Sequence, residues 1–254
     1  MENRNPRIFV FNDGKEIAAF LIRRWCEIAE EALDGKGFFA VALSGGTAAV
    51  DFYSQLPKLK ENFRWDRTHI FLVDERFVSY RSKDSNLGLM RELFLRGINI
   101  PAGNVHAVDT GKGSASQAAE LYEKELRQFF GLSGNELPAF DFVGLGIGED
   151  GHTASLFPGG PEVLEKERLV ITSENPGVRH KRISLTLPVF NNARHVIFIA
   201  SGRRKAEILK RVIEEGDRSL PAAGIMPPEG ELAFVIDRAA ASLLNTEQES
   251  VYLK

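Results

Sequence analysis

The sequence predicts an α/β protein with a mainly parallel central sheet flanked by helices. Two observations carry this expectation. Helical and strand patterns alternate along the chain, which implies right-handed crossovers between parallel strands. The strand candidates are also short and almost wholly apolar, as expected where helices cover both faces of a sheet.

Taken in order, Ile17, Phe20, Leu21, Trp25, Ile28 and Ala32 recur at helical spacing, and Gly35 and Gly37 end that helix. Residues 38–43 form the first strand candidate, with a short helix expected over 48–56. A second apolar run, 69–73, ends at Asp74-Glu75-Arg76. Residues 105–108 are a weaker strand candidate. The helix expected over 116–130 has apolar or alanine positions at 118, 119, 121, 122 and 126. Strands are then predicted at 140–145, 183–187 and 196–200, followed by a helix over 203–214 and a last strand at 232–236. The Gly- and Pro-rich stretches 158–166 and 216–230 read as loops. Asp84-Ser85-Asn86 reads as capping residues before a helix over 87–95.

Nothing in this succession resembles an interdomain linker, so residues 1–254 are expected to form one domain. Hydrophobic residues make up 43% and charged residues 26%, the composition of a globular chain. A formal charge of −3 gives no reason to expect nucleic-acid binding, and any basic site must be local. Cys26 is the only cysteine, which rules out an internal disulfide or a multi-cysteine metal centre and fits a reducing compartment. Residues 1–13 read as polar, without the apolar core of a signal peptide, and no apolar run is long enough to span a bilayer. The expectation is a cytoplasmic protein with no membrane partner.

In parallel sheets ligands bind beyond the carboxyl ends of the strands, and three groups of residues stand at such ends. Ser44-Gly45-Gly46-Thr47 follows the 38–43 strand. Its glycines let the backbone expose N–H groups to an anion, although an ordinary βα turn capped by Thr47 also fits the pattern. It is not a P-loop, because Gly-Lys-Ser/Thr is missing. Arg76, at the end of the next strand, carries a planar fork suited to phosphate, with Asp74 and Glu75 placed to hold it.

The third group is Gly146-Ile147-Gly148-Glu149-Asp150-Gly151-His152. Gly146, Gly148 and Gly151 match the G-x-G-x-x-G dinucleotide spacing. That motif needs a long helix after it, and Pro158 with Gly159-Gly160 leaves about one turn. The loop makes better sense as a mount for His152, which can accept a proton near neutrality, with Asp150 orienting the imidazole. Arg182, opening the 183–187 strand, and Lys205, in the first turn of the 203–214 helix, are further anion-binding candidates. His69, His106, His180 and His195 read as structural or surface residues.

These motifs together resemble the 6-phosphogluconolactonases. The likeness runs from about Ala42 to Asp237 through Leu43-Ser44-Gly45-Gly46-Thr47, Asp74-Glu75-Arg76, Asp84-Ser85-Asn86, Ile100-Pro101-Ala102-Gly103-Asn104-Val105-His106, and Arg182-Ile183-Ser184-Leu185-Thr186-Leu187-Pro188. Asn192-Ala193 and Gly202 with Lys205-Ala206 close the series. Its most specific string is Asp150-Gly151-His152-Thr153-Ala154-Ser155-Leu156-Phe157-Pro158. One departure is Ala48-Ala49, where the family's turn usually continues Ser/Thr-Pro.

The resemblance implies a Rossmann-like, glucosamine-6-phosphate deaminase-type fold and hydrolysis of 6-phosphoglucono-δ-lactone in the oxidative pentose phosphate pathway. It implies no metal or organic cofactor, and a small-molecule sugar-phosphate lactone as the partner of a monomer or small homo-oligomer. It places the catalytic histidine at His152, phosphate contacts at Ser44, Gly45, Gly46, Thr47, Arg76 and Lys205, and a substrate contact at Arg182. Two alternatives share the fold. A deaminase of this type carries an acidic residue five positions after the loop histidine, where this chain has Phe157. A sugar-phosphate-binding regulator would have no need of Asp150 and His152.

Overall fold

The computed structural model describes residues 6–175, 177–245 and 251–253. Its centre is an eight-stranded sheet in which every neighbouring pair runs parallel. The strands are β1 (Arg7–Phe11), β2 (Phe39–Leu43), β3 (Thr68–Leu72), β5 (Val105–His106), β6 (Phe142–Leu145), β9 (His195–Ala200), β10 (Glu231–Asp237) and β11 (Val251–Leu253). They lie in the order β11-β1-β10-β9-β6-β2-β3-β5. A second, antiparallel sheet, β4-β8-β7, joins β4 (Asp74–Arg76), β7 (Val170–Ser173) and β8 (Arg182–Leu185).

Helices cover both faces. On one side α1 (Gly14–Lys36), α2 (Val50–Gln55) and α3 (Asn86–Leu93) pack a core centred on Trp25, which is fully buried among Phe39, Phe52 and Phe142. On the other, α4 (Ala115–Phe130), α5 (Leu187–Asn191), α6 (Ala206–Ile213) and the small sheet enclose Phe71, Phe140, Phe198 and Phe234. The local signals are those the sequence carries. Asp13 accepts hydrogen bonds from the N–H groups of Lys15 and Glu16 at the start of α1, and Gly37 ends it with φ +82°. Ser114 and Gln117 form a capping box on α4.

Several expectations change. The segment read as polar, 1–13, contains β1, whose Ile8-Phe9-Val10-Phe11 is buried between β10 and the edge strand β11. The 183–187 run is β8 of the antiparallel sheet, and its partner β7 had no predicted counterpart. On α4 the buried stripe is Ala115, Ala118, Ala119, Tyr122 and Leu126, while Leu121 faces solvent. The 203–214 helix opens with a 3-10 turn, Arg203–Lys205, before α6. No α-helix follows the 146–151 glycines, so even the single turn expected there is replaced by a tight turn closed by a Thr153–Leu156 bridge. No helix among the described residues is long and apolar enough to cross a membrane.

At the opposite end of β3 from its exit, His69 Nδ1 lies 3.1 Å from His106 Nε2, and His106 Nδ1 lies 2.6 Å from Glu125. Burial against Phe38 and Phe129, then the neighbouring His106 and Lys36, pushes the His69 pKa down to about 4. A base with a depressed folded pKa contributes its full stability above its unfolded pKa, and that contribution is lost as pH falls through the folded one. Urea unfolding at pH 7 and pH 4 should therefore show a smaller acid-induced loss in His69→Leu than in the parent chain. Equal losses in the two would refute this.

Candidate active site

The chain passes from β2 outward to β3 and β5, then returns to β6 on the other side of β2. Between such diverging strands the loops at their carboxyl ends part and leave a crevice. A cleft of about 340 Å3 occupies that place. One wall is the 44–47 turn after β2, another is the Gly146-Ile147-Gly148 loop after β6, and the ends of β4 and β8 close a third side.

His152 reaches the cleft because its loop folds back on itself. Gly148 N–H donates to His152 C=O at 2.8 Å, Gly151 N–H to Gly148 C=O at 3.1 Å, and the Thr153 hydroxyl to Gly146 C=O at 2.9 Å. A Cβ on Gly148 would stand 2.0 Å from His152 Nδ1 and 2.4 Å from the Asp150 carboxylate, so only glycine fits beneath this pair. Gly151 adopts φ +86°, and a Cβ there would strike the Leu220 side chain at 2.7 Å.

Asp150 Oδ1 lies 2.6 Å from His152 Nδ1 and accepts the His152 backbone N–H at 3.1 Å. A carboxylate at Nδ1 keeps the proton there and leaves the lone pair on Nε2. No other side chain among the described residues bonds the ring, so Nε2 is open to the cleft. Partial burial raises the Asp150 carboxyl, but the His152 N–H and imidazole outweigh it and hold the pKa below the ordinary carboxylate value.

The remaining candidates converge on the same space. Ser44, Gly45, Gly46, Thr47, Arg76, Arg182 and Lys205 all line the cleft. Gly46 sits at φ +117°, and Gly45 lies against Asn86, whose Oδ1 would be 2.0 Å from an added Cβ. Lys205, at the start of α6, donates to Ile147 C=O at 2.7 Å; burial lowers its pKa.

Arg76 and Arg182 are direct partners in the antiparallel β4–β8 register. Like charges placed opposite each other oppose sheet pairing. Burial and then the Arg76 charge lower the Arg182 pKa, and the Nε of each arginine is buried without a hydrogen-bond partner. Two adjacent guanidinium groups with unused buried donors are the strongest local argument for an anionic ligand.

Asp74 and Glu75 do not hold the Arg76 guanidinium as expected. Glu75 accepts the N–H groups of Arg76, Asn86 and Leu87 and the Ser85 hydroxyl at 2.7–2.9 Å, and burial still raises its pKa. Arg76 Nη1 instead donates to Asp84 C=O at 2.7 Å. Nor are Asp84-Ser85-Asn86 only caps. Ser85 caps α3 through Gly88 N–H, but Asp84 Oδ2 lies 3.1 Å from His180 Nε2, and Asn86 lines the cleft while donating to Asp74. Asp74 also lines the cleft and accepts from Ser155 at 2.6 Å. A polar residue directly after an apolar strand was the available signal for Asp74, whereas Asn86 carried only the signal of a helix start.

The glucosamine-6-phosphate isomerases/6-phosphogluconolactonase profile matches residues 12–234. The chain belongs to this family. It is 38% identical to the 6-phosphogluconolactonase of Rattus norvegicus over 247 residues, 95% of each chain. The structure of 6-phosphogluconolactonase from Trypanosoma cruzi superposes with a TM-score of 0.84 at 29% identity, covering 96% of this chain and 100% of that one. A monomeric glucosamine-6-phosphate deaminase shares the fold, with a TM-score of 0.77 at 21% identity over 93% of this chain and 99% of that one. The glucosamine-6-phosphate deaminase-type architecture expected from sequence is therefore the one present.

Within this family fold Phe157 is buried, its ring 5.0 Å from the His152 ring and its edge in the cleft. The wall beside the imidazole is therefore apolar. The Ala154 backbone, also in the cleft wall, holds φ +52°, the one non-glycine residue with positive φ among the described residues.

If Arg76 and Arg182 share one anion, replacing Arg182 by methionine removes a donor while keeping most of its apolar stem. Arg182→Met should weaken inorganic phosphate binding roughly tenfold or more by calorimetry. Its stability in urea should stay within about 1 kcal/mol of the parent, because a like-charge opposition goes with the arginine. Unchanged phosphate affinity would argue against a shared site.

Proposed function

We propose that this chain hydrolyses 6-phosphoglucono-δ-lactone to 6-phosphogluconate, acting in the cytoplasm as the lactonase of the oxidative pentose phosphate pathway. The observation that carries the reading is the 2.6 Å Asp150–His152 contact, which orients a free Nε2 into a cleft lined by Arg76, Arg182 and Lys205. The names and near-complete coverage of the relatives support it. The proposed residues, Ser44 to Lys205, all fall within the family match at 12–234, in keeping with the reading of residues 1–254 as one domain.

In the proposed reaction His152 Nε2 removes a proton from water as the water oxygen bonds to the lactone carbonyl carbon. The tetrahedral oxyanion collapses and the bond to the ring oxygen breaks. The imidazolium returns its proton to that oxygen. Asp150 holds the Nδ1 proton and stabilises the transient positive charge. Ser44, Gly45, Gly46, Thr47, Arg76, Arg182 and Lys205 hold the substrate phosphate, while a nearby backbone N–H faces the oxyanion. No step requires a metal or organic cofactor.

The deaminase alternative loses its ground at Phe157, which occupies the place where that chemistry carries a carboxylate and has no proton to transfer. Lactone hydrolysis above the spontaneous rate, without ammonia release from glucosamine 6-phosphate, is the expected pair of results. Loss of the general base in His152→Ala should lower kcat by roughly 10²–10⁴-fold with little change in KM. Asp150→Asn should cost less, and the double variant no more than His152→Ala, because Asp150 acts through the imidazole. Near-full activity in His152→Ala would remove the histidine from the reaction.

A further inference from the structure

Beyond the end of β4 the chain makes a second concave surface that the proposed reaction does not use. The loop bearing Tyr80, Arg81 and Lys83 forms one wall, and Arg91, Glu92 and Arg96 of the α3 region form the other, enclosing about 440 Å3. The volume is in the range of small-ligand sites. Its walls are fixed locally. Ser82 N–H donates to Ser79 C=O, and Asp84 N–H to the Ser82 hydroxyl. Gly88 lets the loop lie directly on the first turn of α3: a Cβ there would meet Tyr80 C=O at 2.6 Å.

The groove is strongly cationic. Four cationic side chains face a single acid, Glu92, in a protein whose formal net charge is −3. Glu92 is taken by Arg96. Arg81, Lys83 and Arg91 form no ion pair with any described residue. The Arg81 and Arg91 guanidinium carbons both lie 5.6 Å from the centre of the exposed Tyr80 ring. Arg81 Nε also donates to the Tyr80 hydroxyl at 3.2 Å, which holds that guanidinium in direction and leaves its terminal N–H groups to a ligand.

We propose that this groove is a second anion-binding site, built for a small ligand that carries two phosphate groups. Three cations without an ion-pair partner among the described residues call for more charge than one phosphate dianion brings, and guanidinium forks match phosphate oxygens. A nucleoside diphosphate and a sugar bisphosphate share that chemistry. They differ in whether a planar base reaches Tyr80. The site stands apart from the lactonase reading, because none of its cationic residues lines the His152 cleft.

Calorimetric titration of the intact chain with inorganic pyrophosphate tests this, in about 0.15 M salt, where the Debye length is about 8 Å and scattered surface charges are screened. Two sites are expected in the parent chain. Arg81→Ala/Arg91→Ala should lose one of them and keep lactone hydrolysis within about twofold of the parent, since surface changes away from a site leave it intact. Lys83→Glu should weaken the same site, and Arg182→Met the other. ADP binding more tightly than pyrophosphate, with that gain removed by Tyr80→Ala, assigns the nucleoside source. Tighter binding of a sugar bisphosphate assigns the other. Pyrophosphate binding that is the same in the double variant as in the parent chain, whether at one site or two, overturns the proposal whether or not the lactonase reading holds.

Discussion

In an all-parallel sheet every strand delivers its last residue to the same edge, and this constraint governs the rest of the molecule. β2 ends at Leu43 and releases the glycine turn; β6 ends at Leu145 and releases the histidine loop; β9 ends at Ala200 and leads to Lys205. Because β2 and β6 are neighbours whose onward connections run in opposite directions across the sheet, their loops separate rather than stack. Residues far apart in sequence then meet without any one segment having to encode the cleft.

The small antiparallel sheet supplies what parallel strands cannot. After β3 the chain stays tied to the main sheet at Val73, whose N–H donates to Leu43 C=O and whose C=O accepts from Leu185 N–H. It then turns into β4 and pairs with β8. That pairing is what sets Arg76 against Arg182 at the mouth of the cleft. Beneath them Asp74 accepts from Asn86 and Ser155, and Ser155 N–H donates to the Ser184 hydroxyl at 3.3 Å. These groups are buried and, apart from Asn86 Oδ1, hydrogen-bonded, so they couple β4, the start of α3, the histidine loop and β8 through short polar contacts.

The strands and the cleft side of the chain were legible because period and composition report burial directly. Apolar runs at 38–43, 69–73 and 196–200 became β2, β3 and β9 with small shifts at their ends. Every candidate among Ser44, Gly45, Gly46, Thr47, Arg76, His152, Arg182 and Lys205 lines one cleft, with Asp150 bonded to His152. The parallel direction of the main sheet was legible, but the direction of β8 was not. Residues 182–185 have the same apolar content whether paired parallel or antiparallel, and only the β4 and β7 partners decide. β1 was overlooked because four apolar residues are too few for a signal sequence, although enough for a buried strand. The partners of Glu75 were invisible for another reason: its carboxylate serves backbone N–H groups of α3, which no side-chain pattern records.

Two features of the cleft oppose folding. Opposed arginines weaken the β4–β8 pairing that carries them, and Ala154 holds a left-handed backbone that costs roughly 1–3 kcal/mol in a non-glycine residue. Both lie in the lining of one cavity, beside an imidazole whose acceptor nitrogen is unbonded. A fold selected for stability alone would place an acid opposite Arg76 and a glycine at 154. An anion between the guanidinium groups reverses the sign of the first cost, since repulsion between the arginines becomes attraction to a shared partner. The second keeps the turn between His152 and Ser155 tight, so that the imidazole and the buried Asp74–Ser155 contact are held from the same few residues. The two arginines and the imidazole are thus fixed by one strand pair and one loop.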